Sequence, residues 1–160
     1  NEPKKPEALI SGLESGAYQL IVLPFSPDNP AFLSTKVGEE HLMFYLPKAH
    51  RFSKRKSLTL AEMNGENMLL FSDIGFWHDL VAAKMPDSRF LVQNERYSLD
   101  ELILNTILPC FSTDLSMGSH AQTGKRVCVP ISDTEVNVTY YLLCKKENRR
   151  IFSALFPKPG

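Results

Sequence analysis

Three times along this chain a short apolar run stops on small polar residues, and that punctuation constrains the fold more than any other feature. Met68 to Phe71 gives way to Ser72-Asp73 before the amphipathic stretch from Gly75 to Leu80, which predicts a strand, a turn and a helix start. Ser72 or Asp73 is expected to cap that helix, with Gly75 freeing the backbone beside it. Unpaired N–H groups and the positive end of the helix dipole would then face whatever lies beyond the strand, a geometry suited to a carboxylate. The alternative is an ordinary connection whose cap satisfies itself. Similar junctions recur at Leu20 to Ser26 and at Pro109 to Asp114. Strands and helices alternating in this way predict α/β architecture, with ligands held beyond the carboxyl ends of strands.

At 160 residues, 43% of them hydrophobic, the chain is about one domain in size and has enough apolar content for a core. Eighteen basic residues balance eighteen acidic ones, so no overall field draws it to nucleic acid or to an anionic membrane. Cys110, Cys128 and Cys144 are unevenly spaced within apolar runs, which argues against a disulfide framework or a zinc site and for buried thiols in a reducing cytosol. No apolar run approaches a membrane span, and Asn1-Glu2-Pro3-Lys4-Lys5 leads into no signal-peptide core. The beginning reads as a start in mid-domain.

In chain order, Pro6 to Ser15 has helical spacing with Gly16 as its stop, and Tyr18 to Leu23, apolar at nearly every position, predicts a central parallel strand covered on both faces. Phe25 to Pro30 is a proline-stiffened polar loop. Leu33 to Val37 and His41 to Leu46 predict two strands around a Gly38-Glu39-Glu40 turn, and the basic run Lys48 to Lys56 reads as a solvated connection. Thr59 precedes a short helical turn ending at Asn64-Gly65. Phe76, Leu80, Val81, Ala83 and Met85 give the next helix an apolar face, and Pro86 stops it. A strand over Arg89 to Val92, a helix from Ser98 with Glu101 at capping-box spacing, and a strand over Ile107 to Phe111 follow. The remainder predicts a loop over Ser116 to Lys125 and a strand over Arg126 to Ile131, then a turn over Ser132 to Thr134 and a long strand from Val136 to Cys144. A final helix over Arg149 to Phe156 has Ile151, Phe152, Leu155 and Phe156 inward, ended by Pro157. Asn137-Val138-Thr139 matches a glycosylation sequon by composition alone, within a strand.

No nucleophile stands beside a base, no carboxylate pair has diagnostic spacing, and His41, His50, His78 and His120 share no ligand spacing, so no catalytic residue and no metal is expected. Cys110 lacks a matched histidine motif. Ser72, Asp73, Ser112, Thr113 and Asp114 suit gripping a small polar molecule better than transforming one.

The order of these segments resembles a known family. Leu13-Glu14-Ser15-Gly16-Ala17-Tyr18-Gln19-Leu20-Ile21-Val22 is similar to a glycine-then-strand motif of LysR-type transcriptional regulators. Gly38 to His50 resembles the apolar strand that this family runs into a Pro and a His, and Ser57 to Met63 its short turn, while Leu108-Pro109-Cys110-Phe111 matches its late Leu-Pro segment. Gln19 stands where the family usually has Asp, and Leu102 to Ile107 lacks its Gly-x-Gly.

The resemblance implies a periplasmic-binding-protein-like (type 2) α/β fold of two lobes joined by two crossover segments. Lobe I would be residues 1–49 and 132–160, incomplete at its N-terminus, and lobe II residues 50–131. It implies the effector-sensing domain of a DNA-binding regulator, not an enzyme, cytoplasmic and without cofactor. A small anionic metabolite would lie in the interlobe cleft against Phe25, Ser26, Pro27, Ser72, Asp73, Ile74, Thr106, Phe111, Ser112 and Thr113. DNA would be contacted only through an N-terminal winged helix-turn-helix that this sequence lacks, no membrane is involved, and the assembly would be a homodimer or higher homo-oligomer. Two other classes share such a fold: an extracytoplasmic solute-binding protein of a transporter, and a two-lobed enzyme.

Overall fold

The computed structural model describes residues 5–116 and 124–156. Most of the loop expected over 116–125, His120, and the helix stop at Pro157 lie outside the described residues. Two compact units emerge, Asn1–Glu39 with Val138–Gly160, and Glu40–Asn137. We call them unit 1 and unit 2. The lobe boundaries implied by the resemblance, at 49/50 and 131/132, sit several residues inside these divisions.

In unit 1 the helix α1 spans Pro6–Ser15, with proline in its first turn where the missing N–H costs nothing. Gly16 closes it in the left-handed region at φ 81°, its N–H bonded to Leu13 O, so the expected stop is the observed one. Gly12 is required for a different reason: a Cβ there would lie 2.2 Å from Cδ2 of the Tyr18 ring. Strand β1 (Ile21–Leu23) pairs antiparallel with β7 (Asn137–Lys145), which neighbours the long strand β2 (Phe32–Pro47). Leu13, Ile21, Leu23, Phe32 and Leu143 form the core of this unit.

Two expectations fail here. β1 is antiparallel and terminal in the strand order, and Val22 is 48% exposed, because only the face carrying Ile21 and Leu23 is covered. An apolar run announces burial on both faces only when something packs on both. The final helix is also replaced: a 3-10 turn over Lys146–Arg150 runs into irregular turns, with Ile151 71% exposed and Phe156 alone of the four apolar residues fully buried. So short a segment, with charged residues in its first turn, does not repay helix nucleation without an apolar stripe to bury.

In unit 2 the second half of β2 is central, flanked antiparallel by β5 (Cys110–Thr113) and β6 (Arg126–Pro130). Phe44 sits opposite Phe111 on one side and Val129 on the other. β2 runs without a break where a turn was expected, for Gly38 keeps a negative φ and no Asn, Asp or Pro follows to fold the chain back. The helix α2 (Leu60–Met63) opens with the Thr59–Glu62 capping box. β3 (Asn67–Phe71) and β4 (Arg89–Gln93) then form a parallel pair around the helix α3 (Trp77–Lys84), and α4 (Arg96–Asn105) follows. α3 and its C-cap bury Trp77, Val81 and Met85, spaced four apart; Val81 and Met85 are on the expected face, while Trp77 takes the inward place expected of Phe76, which is 55% exposed. Ser98 lies inside α4, whose cap position is Glu95, since Arg96 and Asp100 already pair across the first turn.

Arg126 is the most consequential residue of this packing. It is 8% exposed, and its guanidinium donates to the carbonyls of Ile103 (3.1 Å), Thr106 (2.8 Å), Leu108 (2.8 Å) and Tyr45 (3.3 Å). Two of those acceptors belong to the C-terminal turn of α4, where orphan carbonyls and the negative dipole end attract a cation. Among the described residues no helix is long and apolar enough to cross a membrane.

Candidate functional site

Within unit 2 a cleft of about 250 Å³ opens at the carboxyl end of β3. Strands supply its floor through Leu42, Leu69, Cys110 and Phe111, with Leu99 from α4 and Trp77 from α3. Phe71, Asp73 and Ile74 form one side as the chain leaves β3, and Glu40, Arg96, Thr113 and Ser116 complete the rim. Leu69, Leu99 and Cys110 belong to a buried core cluster with Tyr45 and Ile103, so the floor of the cleft is part of the unit's core. Trp77 is fixed by its indole N–H, which donates to Val136 O at 2.8 Å.

Of the ten residues expected at the site, this cleft gathers Asp73, Ile74, Phe111 and Thr113. Ser72 does not line it; its N–H donates to Gln93 O at 2.9 Å and continues the β3–β4 ladder. Ser112 and Thr113 lie within β5 rather than in a turn beyond it, because the strand starts at Cys110 and not at Ile107. Ser112 is 5% exposed and its Oγ meets Ser116 Oγ at 3.3 Å. Thr106 is at the other end of α4, its hydroxyl donating to Leu102 O at 2.7 Å. Phe25, Ser26 and Pro27 belong to unit 1, where Ser26 Oγ lies 2.7 Å from Ser34 Oγ.

The cap expected from Ser72 or Asp73 is absent. α3 begins at Trp77 with Phe76 in the cap position and no side-chain cap, because the three residues Ile74 to Phe76 form a turn that separates the carboxylate from the helix start. Trp77 N–H and His78 N–H instead donate to Ile74 O (3.3 Å) and Gly75 O (3.2 Å).

Several groups in and around the cleft are held by the protein itself. Burial pushes the Cys110 thiol up to about 12, so it stays protonated and is no nucleophile at neutral pH. Thr113 Oγ1 is 3.0 Å from Ser116 Oγ and accepts from Ser116 N–H at 3.1 Å, so the two hydroxyls brace each other. At the end of β5, Asp114 accepts from His41 N–H (2.9 Å) and faces His41 Nδ1 (2.7 Å), tying β5 to β2. Among the described residues no His, Cys, Asp and Glu cluster could hold a metal ion. Sequence reasoning missed Glu40, Trp77, Arg96 and Leu99. The usable signal for the last two was the Arg96–Asp100 spacing, which starts α4 early and puts its first turn beside the strand ends.

Comparison with known proteins identifies the class to which this geometry belongs. The model of the LysR substrate binding domain matches residues 2–154, and the chain belongs to that family. None of the curated proteins matches it. Among solved structures it is similar to the reduced form of the OxyR regulatory domain from Pseudomonas aeruginosa, with 14% identity, a TM-score of 0.70, and 94% of this chain and 75% of that one covered. Full-length CbnR in complex with its target DNA matches at 18% identity and TM-score 0.66, covering 96% and 55%. The regulatory domain of MetR from N. meningitidis matches at 11% and 0.64, covering 88% and 69%. The chain spans about half the length of the full-length structures, 50% for OxyR and 55% for CbnR. The fold is periplasmic-binding-protein-like, type 2, and the family is that of the effector-binding regulatory domains of LysR-type transcription regulators.

Proposed function

We propose that this chain senses a small molecule for a LysR-type regulator and that the cleft of unit 2 is a wall of the effector site. The observation that carries this is the coincidence of a preformed apolar cleft with a charged rim at a strand's carboxyl end, in a chain that the family model spans from residue 2 to 154. In this reading units 1 and 2 are the two lobes, and effector binding biases their arrangement. DNA is bound by a winged helix-turn-helix outside this sequence, the whole regulator works in the cytoplasm as a homodimer or higher homo-oligomer, and no reaction is catalysed. The inert Cys110 and the self-braced hydroxyls support holding over chemistry.

A thermal-shift screen of the chain against metabolites tests the reading. A true effector at about 100 times its Kd stabilises by about 2.7 kcal/mol. That stabilisation should fall when Leu99, on the cleft floor, is replaced by a residue that fills it, Leu99→Trp. Effectors that stabilise the wild type and this variant equally would place the site elsewhere. Sedimentation of the full-length regulator tests the assembly, and monomer at high micromolar concentration would exclude the paired form.

A further inference from the structure

The C-terminal end of α4 borders a second hollow of unit 2, of about 510 Å³, with Pro47, Ile103, Leu104 and Ile107 as its apolar walls. Leu104 is 42% and Ile107 80% exposed, so apolar surface is left facing water at this place. Lys48, Lys125 and Arg126 line the same hollow, and no Asp or Glu among the described residues does. The stretch 117–123 brings none either, for its sequence contains neither residue type.

The hydrogen bonds of Arg126 are met, but its charge is not. All four acceptors of the guanidinium are backbone carbonyls, two of them from the lining residues Ile103 and Thr106, and no carboxylate among the described residues pairs with it. A cation buried against dipoles alone keeps its full charge in a poorly screened place, and an anion a few ångströms away is favoured there. Lys48 adds a second positive charge, since its ammonium has no ion-pair partner among the described residues. The adjoining hollow, which shares Pro47, Ala49 and Ile107, contains Glu66, but Arg51 Nη2 already pairs with that carboxylate at 2.7 Å.

We propose that this hollow binds a small amphipathic monocarboxylate, its apolar body on Ile103, Leu104 and Ile107 and its head group toward the Lys48 ammonium and the charge of Arg126. One negative charge suits the place better than two, because the negative end of the α4 dipole lies at the same wall. The size agrees: a dry cavity of about 150 Å³ accepts benzene, so about 510 Å³ accommodates a ring with a chain. This site is separate from the cleft at the end of β3, which takes Arg96 and Leu99 from the first half of α4.

Backbone amide shifts of the isotope-labelled chain locate and measure the binding of three probes: 4-phenylbutyrate, 4-phenylbutan-1-ol and 4-phenylbutylamine share a ring and a chain and differ in charge. At pH 7 and low ionic strength the acid is expected to move the amides of Ala49, Leu104, Asn105 and Ile107. It should bind about fivefold tighter than the alcohol, the factor for one close charge pair in a water-like dielectric, with the amine weakest. Most of that preference should be lost in Lys48→Gln and on adding salt. It should persist in Lys54→Gln, which removes a lysine of the same basic run that does not line the hollow. Equal binding of acid and alcohol, a preference that Lys48→Gln leaves intact, or one that Lys54→Gln removes equally would overturn the proposal. Shifts confined to Leu69, Asp73 and Leu99 would also overturn it while supporting the cleft as a binding site, so the two assignments fail separately. Loss of a dimer in Ile107→Ser, with no probe bound at these amides, would give the face to a second copy of the chain and overturn the proposal as well.

Discussion

The two ends of α4 treat polar groups in opposite ways. At the C-terminal end, four backbone carbonyls converge on the buried guanidinium of Arg126, and all three of its nitrogens donate inside the protein. At the N-terminal end, Arg96 is half-exposed on the cleft rim with Glu40 and Asp73 nearby, over an apolar floor. One end is closed by mutual satisfaction and the other keeps charge at a concave surface. A single helix here links the two.

The contrast is most easily broken at the closed end. Arg126→Leu keeps apolar bulk but leaves carbonyls of Ile103, Thr106, Leu108 and Tyr45 without their donor, and it removes the cation from the end of the helix dipole. The expected loss is about 3 kcal/mol or more of unfolding free energy, measured by urea denaturation of the chain. Arg126→Lys should recover only part of it, since one ammonium with three donors cannot span four acceptors in a planar fork. A neutral Arg126→Leu would mean that water satisfies these carbonyls and that the closed end is not closed.

Next in size comes the seam between the two ends. Thr113→Val removes the hydroxyl that accepts from Ser116 N–H and meets Ser116 Oγ, in a residue only 8% exposed. The loss should be about 1 to 1.5 kcal/mol, the usual worth of a buried neutral hydrogen bond. Ligand affinity, once corrected for stability, is expected to change less than for the rim carboxylates.

A smaller effect follows from pH. Burial pushes the Asp114 carboxyl up, but hydrogen bonds from His41 N–H and the His41 ring, with the charge of that ring and Leu115 N–H, outweigh it and hold the group below the ordinary carboxylate range. A value lower in the folded than in the unfolded chain contributes stability that is complete above the unfolded value and is lost as pH falls through the folded one. Unfolding free energy followed from about pH 5 down to about pH 2 should therefore decline more steeply in the wild type than in Asp114→Asn. Parallel curves would show that the His41–Asp114 contact adds nothing in solution.

Local signals carried much of this fold into the sequence. Pro6 and Gly16 bracket α1, and Thr59 with Glu62 starts α2, because those features are satisfied within a few residues. What failed depends on packing from afar. Val22 and Tyr18 look alike in an apolar run, yet one is half-exposed and the other packs where only Gly12 makes room. Gly38 is as compatible with extended backbone as with a turn, and the pairing of β2 as a whole with β5, β6 and β7 decides the matter. Asp73, Ile74, Phe111 and Thr113, expected together from the ends of two strands, line one cleft because those strand ends are neighbours in the fold. Glu40 comes from a segment read as a turn, and Arg96 lies ahead of the helix start read at Ser98, where only its spacing to Asp100 marks the extra turn.

The smallest expected effect tests the open end itself. By sequence, Asp73 resembles a helix cap, and removing a cap costs about 1 kcal/mol. In the structure it is exposed, separated from Trp77 by Ile74, Gly75 and Phe76, and makes no hydrogen bond to a described residue. Asp73→Ala should accordingly change unfolding free energy by no more than about 0.5 kcal/mol, the range for a surface substitution away from such features. The measurement is a melting curve of the empty chain beside that of Thr113→Val. The two residues end neighbouring apolar runs and both face the cleft, so their stabilities isolate what burial and a hydrogen-bond partner contribute. If Asp73→Ala lost as much as Thr113→Val, the turn after β3 would depend on its carboxylate for structure. The side chain would then be committed to the scaffold, as Arg126 is at the other end of α4, and not held in reserve for a ligand.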